Sequence, residues 1–158
     1  IAMMAEYETY LVADIWFGDW ALEQGPRDGW SPSVMRKMRE TTDVQREGFA
    51  KAVRAGVKIA FGTDSGAYPH GMNATQFAYM VKFGMTPMQA VQAATVGAAE
   101  LMGWRERVGT IEPGTFADLV AVEGDPLDDV DLLTEIPFVM KGGRIVKGAG
   151  FPPLAVPE

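Results

Sequence analysis

The chain has 158 residues, enough for one ordinary domain with a sizeable core, and 47% are hydrophobic against 22% charged. Mean hydropathy near zero, with no apolar run approaching the ~20 residues of a membrane helix, is a soluble globular composition. A net charge of −7 with no basic stripe argues against nucleic-acid binding, and zero Cys excludes thiolate metal sites and disulfides. The charge is uneven: residues 1–103 carry 9 basic and 11 acidic side chains, whereas residues 104–158 carry 5 and 10. A single His, His70, cannot supply the several His or Cys ligands of a self-contained zinc site.

Ile1-Ala2-Met3-Met4-Ala5 lacks an initiator Met and a basic flank, so it reads as the last turns of a helix and not as a signal peptide. A soluble address, cytoplasmic or periplasmic, is the expectation. Thr9 to Phe17 reads as a buried strand, and turn-rich Gly18 to Gly29 as a loop crowded by Trp16, Trp20 and Trp30. Ser31-Pro32 marks an N-cap with Pro at the first helical position, and the helical pattern runs on through Val44 to Ala55 until Gly56. A second strand follows at Val57 to Thr63. Strand, long helical connection, Gly and strand make a βαβ unit, hence a parallel sheet.

Beyond the loop Ala67 to Met72, a helix is expected near Ala74 to Phe83, with Asn73 as its cap and Gly84 as its stop. Thr86-Pro87-Met88-Gln89 combines a capping box with an N1 Pro. From there Met88, Val91, Ala94, Thr95, Ala98, Leu101 and Met102 recur at helical spacing as a core stripe, closed by Gly103. After Trp104 short apolar runs alternate with turns, and Gly142-Gly143 between two apolar triplets signals a two-residue hairpin. This is a small antiparallel unit that should pack on something else. The tail Phe151-Pro152-Pro153 reads as extended and superficial.

Asp64 is the leading candidate for chemistry. The run Val57 to Phe61 ends at Gly62, and a carboxylate follows at once, as where a buried parallel strand delivers an acid to the mouth of an α/β fold. The same Asp-Ser-Gly also suits a simple turn cap, and local pattern alone leaves both readings standing. Gly62 to Gly66 has no following Lys and no G-x-G-x-x-G, so it is not a phosphate loop.

Taken together, Val57–Gly66, Tyr68–Asn73, Gly84–Ala90 and Gly109–Val120, in that order, resemble the amidohydrolase superfamily. The likeness is nearest to its imidazolonepropionase-like members, which include metal-dependent Xaa-Pro dipeptidases. It runs from about Tyr7 to Lys147 and matches only the C-terminal part of such a protein. It implies an α/β fold: residues 1–103 as the last part of a (β/α)8 barrel, with Thr9–Phe17 as strand seven and Val57–Thr63 as strand eight. Residues 104–158 would be a contribution to a small β-sandwich.

The resemblance further implies one or two divalent metal ions, usually zinc, with Asp64 as both a metal ligand and the base that deprotonates the attacking water. His70, in the rim loop, would either contact the substrate or shape that loop by a hydrogen bond; Asn73, besides capping its helix, would lie near the substrate; and Asp14 and Trp16 either line the pocket or pack in the core. The other metal ligands would sit on strands outside this chain. The expectation is therefore a C-terminal fragment of a hydrolase of C–N bonds, inactive without the rest of its barrel. Its substrate would be a small molecule or dipeptide-like, with no nucleic-acid or membrane partner, and the full enzyme would be a homo-oligomer. The alternative is a non-catalytic α/β interaction module.

Overall fold

The computed structural model describes residues 1–66 and 68–148, so the Phe151-Pro152-Pro153 tail lies outside the described residues. Two sheets organise it. In the first, β1 (Leu11–Val12) runs parallel to β2 (Ile59–Ala60), with Leu11 opposite Ile59 and Val12 opposite Ala60. Between them lie α2 (Phe17–Gln24) and α3 (Pro32–Arg54), so the crossover is the expected helical one. A short helix α1 (Ala2–Glu6) precedes β1, in accord with the reading of the first residues.

Both strands are shorter than their apolar runs, and the reason is visible in their hydrogen bonds. Past Val12 the backbone turns to side chains: Ile15 N–H donates to Gln76 Oε1 (3.0 Å), and Ile15 C=O accepts from Arg46 Nε (2.9 Å). Asp14 Oδ1 then accepts from Phe17 N–H (3.4 Å), which starts α2 where a loop was expected. Gly18 and Ala21 are buried on α2, and the helix lies so close to α3 that a Cβ on Gly18 would collide with Thr42. Small residues that read as turn formers are contact points between helices here.

Helix α3 starts as its sequence predicts, with Ser31 Oγ accepting from Val34 N–H (3.4 Å) and Pro32 at its first position. It ends with Gly56 at φ +71, Gly56 N–H bonded to Val53 and Val57 N–H to Ala52, the paired bonds of a Schellman stop. Gly84 and Gly103 close their helices through the same two bonds. The core gathers Ile15, Phe49, Met80, Ala90 and Ala93, with Leu11, Val53, Ile59, Phe61 and Phe77 packed against them.

Helix α4 (Thr75–Lys82) begins without a side-chain cap. The Asn73 amide is engaged elsewhere, since its Nδ2 donates to Thr63 Oγ1 (2.9 Å) and its Oδ1 accepts from Gly71 N–H (3.3 Å). The expected long helix after Thr86 has its capping box but splits at Thr95 into α5 (Pro87–Ala94) and α6 (Val96–Leu101). At the break the Ala93 carbonyl accepts from Phe61 N–H (2.9 Å), tying the end of α5 to the chain just past β2. That tie also overturns the Met stripe. Ala90, Ala93 and Ala99 take the buried face while Met88 and Met102 are exposed, because only small residues let the helices close on the strand.

The second sheet holds β3 (Leu119–Ala121), β4 (Phe138–Lys141) and β5 (Arg144–Lys147), all antiparallel. Gly142 and Gly143 form the expected hairpin, both at positive φ (56 and 76) as a type I′ turn requires. A 3-10 turn at Val130–Thr134 lies against α4, so this unit packs on the helical layer. No helix among the described residues is long and apolar enough to cross a membrane. Two glycines give opposite expectations in denaturation experiments. Gly18→Ala overpacks the α2–α3 contact and lowers stability by about 1–3 kcal/mol. Gly48→Ala, in open space within α3, raises it by about 0.5–1 kcal/mol.

Candidate active site

The carboxyl ends of β1 and β2 open on a cavity of about 340 Å³ lined by Asp14, Phe17, Asp64, Ser65 and Gly66. Two carboxylates from two different crossover ends thus share one small space. A larger hollow of about 690 Å³ lies on the C-terminal unit, edged by Glu123, Asp129, Asp131 and Glu135. Those acids are exposed to water, and none of the candidate site residues lies there.

Asp64 sits at φ +45, in the left-handed region that Asp tolerates better than most side chains. Such a conformation costs of order 1–3 kcal/mol and persists only where neighbours fix it. The residues before it are fixed: Tyr68 Oη donates to Thr63 C=O (2.8 Å), Asn73 reaches the Thr63 hydroxyl, and Gln76 Nε2 donates to Gly62 C=O. The Asp64 side chain itself is exposed at the cavity. Asp14 is half-buried, and its carboxyl is pushed up to about 6, first by desolvation. The Phe17 N–H hydrogen bond opposes that rise, and the nearby Asp64 charge adds to it.

His70 is exposed and reaches the cavity at one remove, its Nδ1 lying 3.3 Å from the Ser65 hydroxyl. Trp16 packs in the interior at 3% exposure, edge-on to Tyr68 with ring centroids 4.7 Å apart. Sequence reasoning missed two residues. Phe17, placed at a strand end, in fact walls the cavity and belongs to an aromatic cluster with Trp20, Trp30 and Tyr68. Gln76 is fully buried, and its signal was a polar residue four positions before Met80 on the buried face of a short helix.

Among the described residues no group of three or more His, Cys, Asp or Glu side chains comes together to hold a metal ion. Asp14 and Asp64 provide hard oxygen donors facing one space, which suits part of a divalent cation's ligand set but not all of it.

The amidohydrolase family pattern matches residues 3–147. The chain belongs to the amidohydrolase family. An ochratoxinase from Aspergillus niger is 35% identical over 122 residues, covering 74% of this chain and 25% of that protein. An imidazolonepropionase from Geobacillus kaustophilus is 32% identical over 106 residues, covering 63% of this chain and 25% of its own length. In three dimensions the fold superposes on a Xaa-Pro dipeptidase crystallised with methionine in its active site. That match has a TM-score of 0.84 at 39% identity, over 93% of this chain and 36% of that one. The chain therefore spans about a quarter of the length of these curated relatives.

The electrostatics of this amidohydrolase-family chain imply a pH dependence. A folded-state pKa raised above the unfolded value, roughly 3.9, gives Asp14 a stabilising contribution that is complete below pH ~4 and lost as pH rises through about 6. Carboxyl 13C titration without divalent cations should place the Asp14 midpoint near 6. Asp64→Asn should lower that midpoint, and an unmoved midpoint would mean the two carboxylates do not sense each other.

Proposed function

We propose that this segment is the C-terminal part of a metal-dependent amidohydrolase that hydrolyses C–N bonds in a small amide or dipeptide-like substrate. The observation that carries the reading is Asp64 at the mouth of a parallel strand, in a cavity shared with Asp14. Family membership favours this enzyme reading over a non-catalytic module. In this reading residues 1–103 are the last part of a (β/α)8 barrel, with β1 in strand seven and β2 in strand eight. Residues 104–158 contribute to a small sandwich, and the further metal ligands come from polypeptide outside this segment.

Asp64, aided by Asp14, would hold a divalent ion, zinc being our choice. Such an ion supplies an acidified water, since coordination lowers its pKa to roughly 7. The Asp64 carboxylate accepts a proton during attack on the substrate carbonyl and passes it to the departing nitrogen, as a general base and then acid. Phe17 gives the cavity an apolar wall that keeps bulk water from the reacting carbonyl. His70 meets the substrate at the rim through its place beside Ser65. Asn73, with both ends of its amide engaged, serves the site by fixing Thr63.

The relatives support the substrate class. Ochratoxinase, imidazolonepropionase and Xaa-Pro dipeptidase are the names borne by similar proteins. The test is Asp64→Asn in the complete polypeptide that carries this segment, assayed on an Xaa-Pro dipeptide panel and on N-acyl amino acids. Turnover should fall ~10²–10⁴-fold, the span general bases contribute, while circular dichroism stays unchanged. Turnover within about threefold of wild type would remove Asp64 from the proton-transfer role.

A further inference from the structure

Gln76 is 0% exposed, and its amide makes three hydrogen bonds to the backbone of two different chain segments. Oε1 accepts from Ile15 N–H (3.0 Å), while Nε2 donates to Ala13 C=O (3.1 Å) and to Gly62 C=O. Ala13 and Ile15 are the two neighbours of Asp14, and Gly62 lies two residues before Asp64. One planar group therefore grips the main chain on both sides of one cavity carboxylate and just upstream of the other. We infer that Gln76 is a positioning residue that sets the separation of Asp14 and Asp64, and with it the divalent-cation and proton-transfer geometry of the cavity.

The chemistry of the amide explains the residue type. Three backbone groups, two acceptors and one donor, are served by one acceptor and two donors held in a plane. Glu offers no donor when ionised, Asn is one methylene shorter, and Met offers neither donors nor a strong acceptor. The β1–β2 ladder is only two residues long, so it does little to fix the backbone at Asp14 and Asp64, two and four residues past the strand ends. Catalytic and ligating groups must be held within about 0.5 Å of the productive geometry by partners whose own rotamers are locked. Full burial, on the helix that also buries Met80, and three hydrogen bonds lock Gln76.

The inference rests on the reading of Asp64 proposed above, and the experiment separates the two. In the complete polypeptide, zinc affinity is measured by chelator competition and kinetics on the best dipeptide of the panel, for wild type, Gln76→Met, Met80→Ala and Asp64→Asn. Outer-shell partners of metal ligands typically govern 10–100-fold in affinity or activity. Gln76→Met should accordingly weaken zinc binding and lower kcat by about that factor, with KM within about threefold. Met80→Ala removes a buried contact from the same helix without touching either strand end by hydrogen bond. At a comparable loss of melting temperature it should leave zinc affinity near wild type. Parallel losses in the two variants, or no loss in Gln76→Met, would reduce Gln76 to a core residue. If Asp64→Asn binds zinc and turns over like wild type, the reading of the site itself falls. Should Gln76→Met not fold, the wild-type protein still decides. Side-chain amide protons of Gln76 that exchange as fast as those of an exposed Gln would overturn the clamp, and strong protection would uphold it.

Discussion

Two strands of two residues each cannot hold a register by their own ladder, and this fold does not ask them to. The side-chain amide of Gln76 joins the ends of β1 and β2 from inside the helical layer, in place of backbone bonds that a longer sheet would provide. Leaving the buried Ile15 N–H unpaired would cost roughly 1–3 kcal/mol, and the part-buried carbonyls of Ala13 and Gly62 would lose their partners with it. The helix that carries Gln76, α4, also presents Met80 to the core and follows Asn73, whose amide reaches Thr63. Core packing and the backbone before Asp64 are therefore coupled through one short helix.

A second buried polar group braces the other side. Arg46 is 6% exposed, donates from Nε to Ile15 C=O and pairs through Nη2 with Asp19 at 2.8 Å. Its guanidinium also lies over the rings of Tyr79 and Phe83, 5.1 and 5.5 Å from their centroids. Tyr79 Oη completes the set by donating to Asp19 Oδ2 at 2.6 Å. The bonds to Tyr79 and Arg46 hold the Asp19 carboxyl below its ordinary range despite desolvation, whereas burial first and then Asp19 push the Tyr79 phenol up to about 12. Ile15 is thus gripped at its N–H by Gln76 and at its C=O by Arg46, which ends β1 early and turns the chain into α2.

The parts of this architecture that depend on local rules were legible in the sequence. Ser31-Pro32, the Thr86 capping box, the glycine stops at Gly56 and Gly84 and the Gly142-Gly143 turn are written in residues that act within four positions of themselves. What escaped was set by partners distant in the chain. Helix α2 looked like a loop because Gly18 and Gly25 read as turn formers. Gly18 instead answers a tertiary demand, the close approach of Thr42. The methionine stripe failed for the same reason, since the strand called for alanines on the buried side. Asp64 stood out because an acid after an apolar run is a local signal. Gln76 did not, because nothing within its own helix shows that it faces two backbones.

Charge placement bears on what the cavity is built to meet. Several acids elsewhere in the molecule have a cation beside them: Asp19 has Arg46, Glu8 and Glu100 share Lys58, and Asp118 has Lys141. Among the described residues neither Asp14 nor Asp64 forms such a pair, although Asp14 is half-buried and feels the Asp64 charge. Bringing like charges together in a partly desolvated space raises the free energy of the ionised form, and a counter-charge placed between them reverses the sign of the effect. A left-handed backbone at Asp64, braced by Tyr68, Asn73 and Gln76, maintains that unfavourable juxtaposition instead of letting the loop relax. On the reading proposed above, a divalent cation held by Asp14 and Asp64 would offset that repulsion.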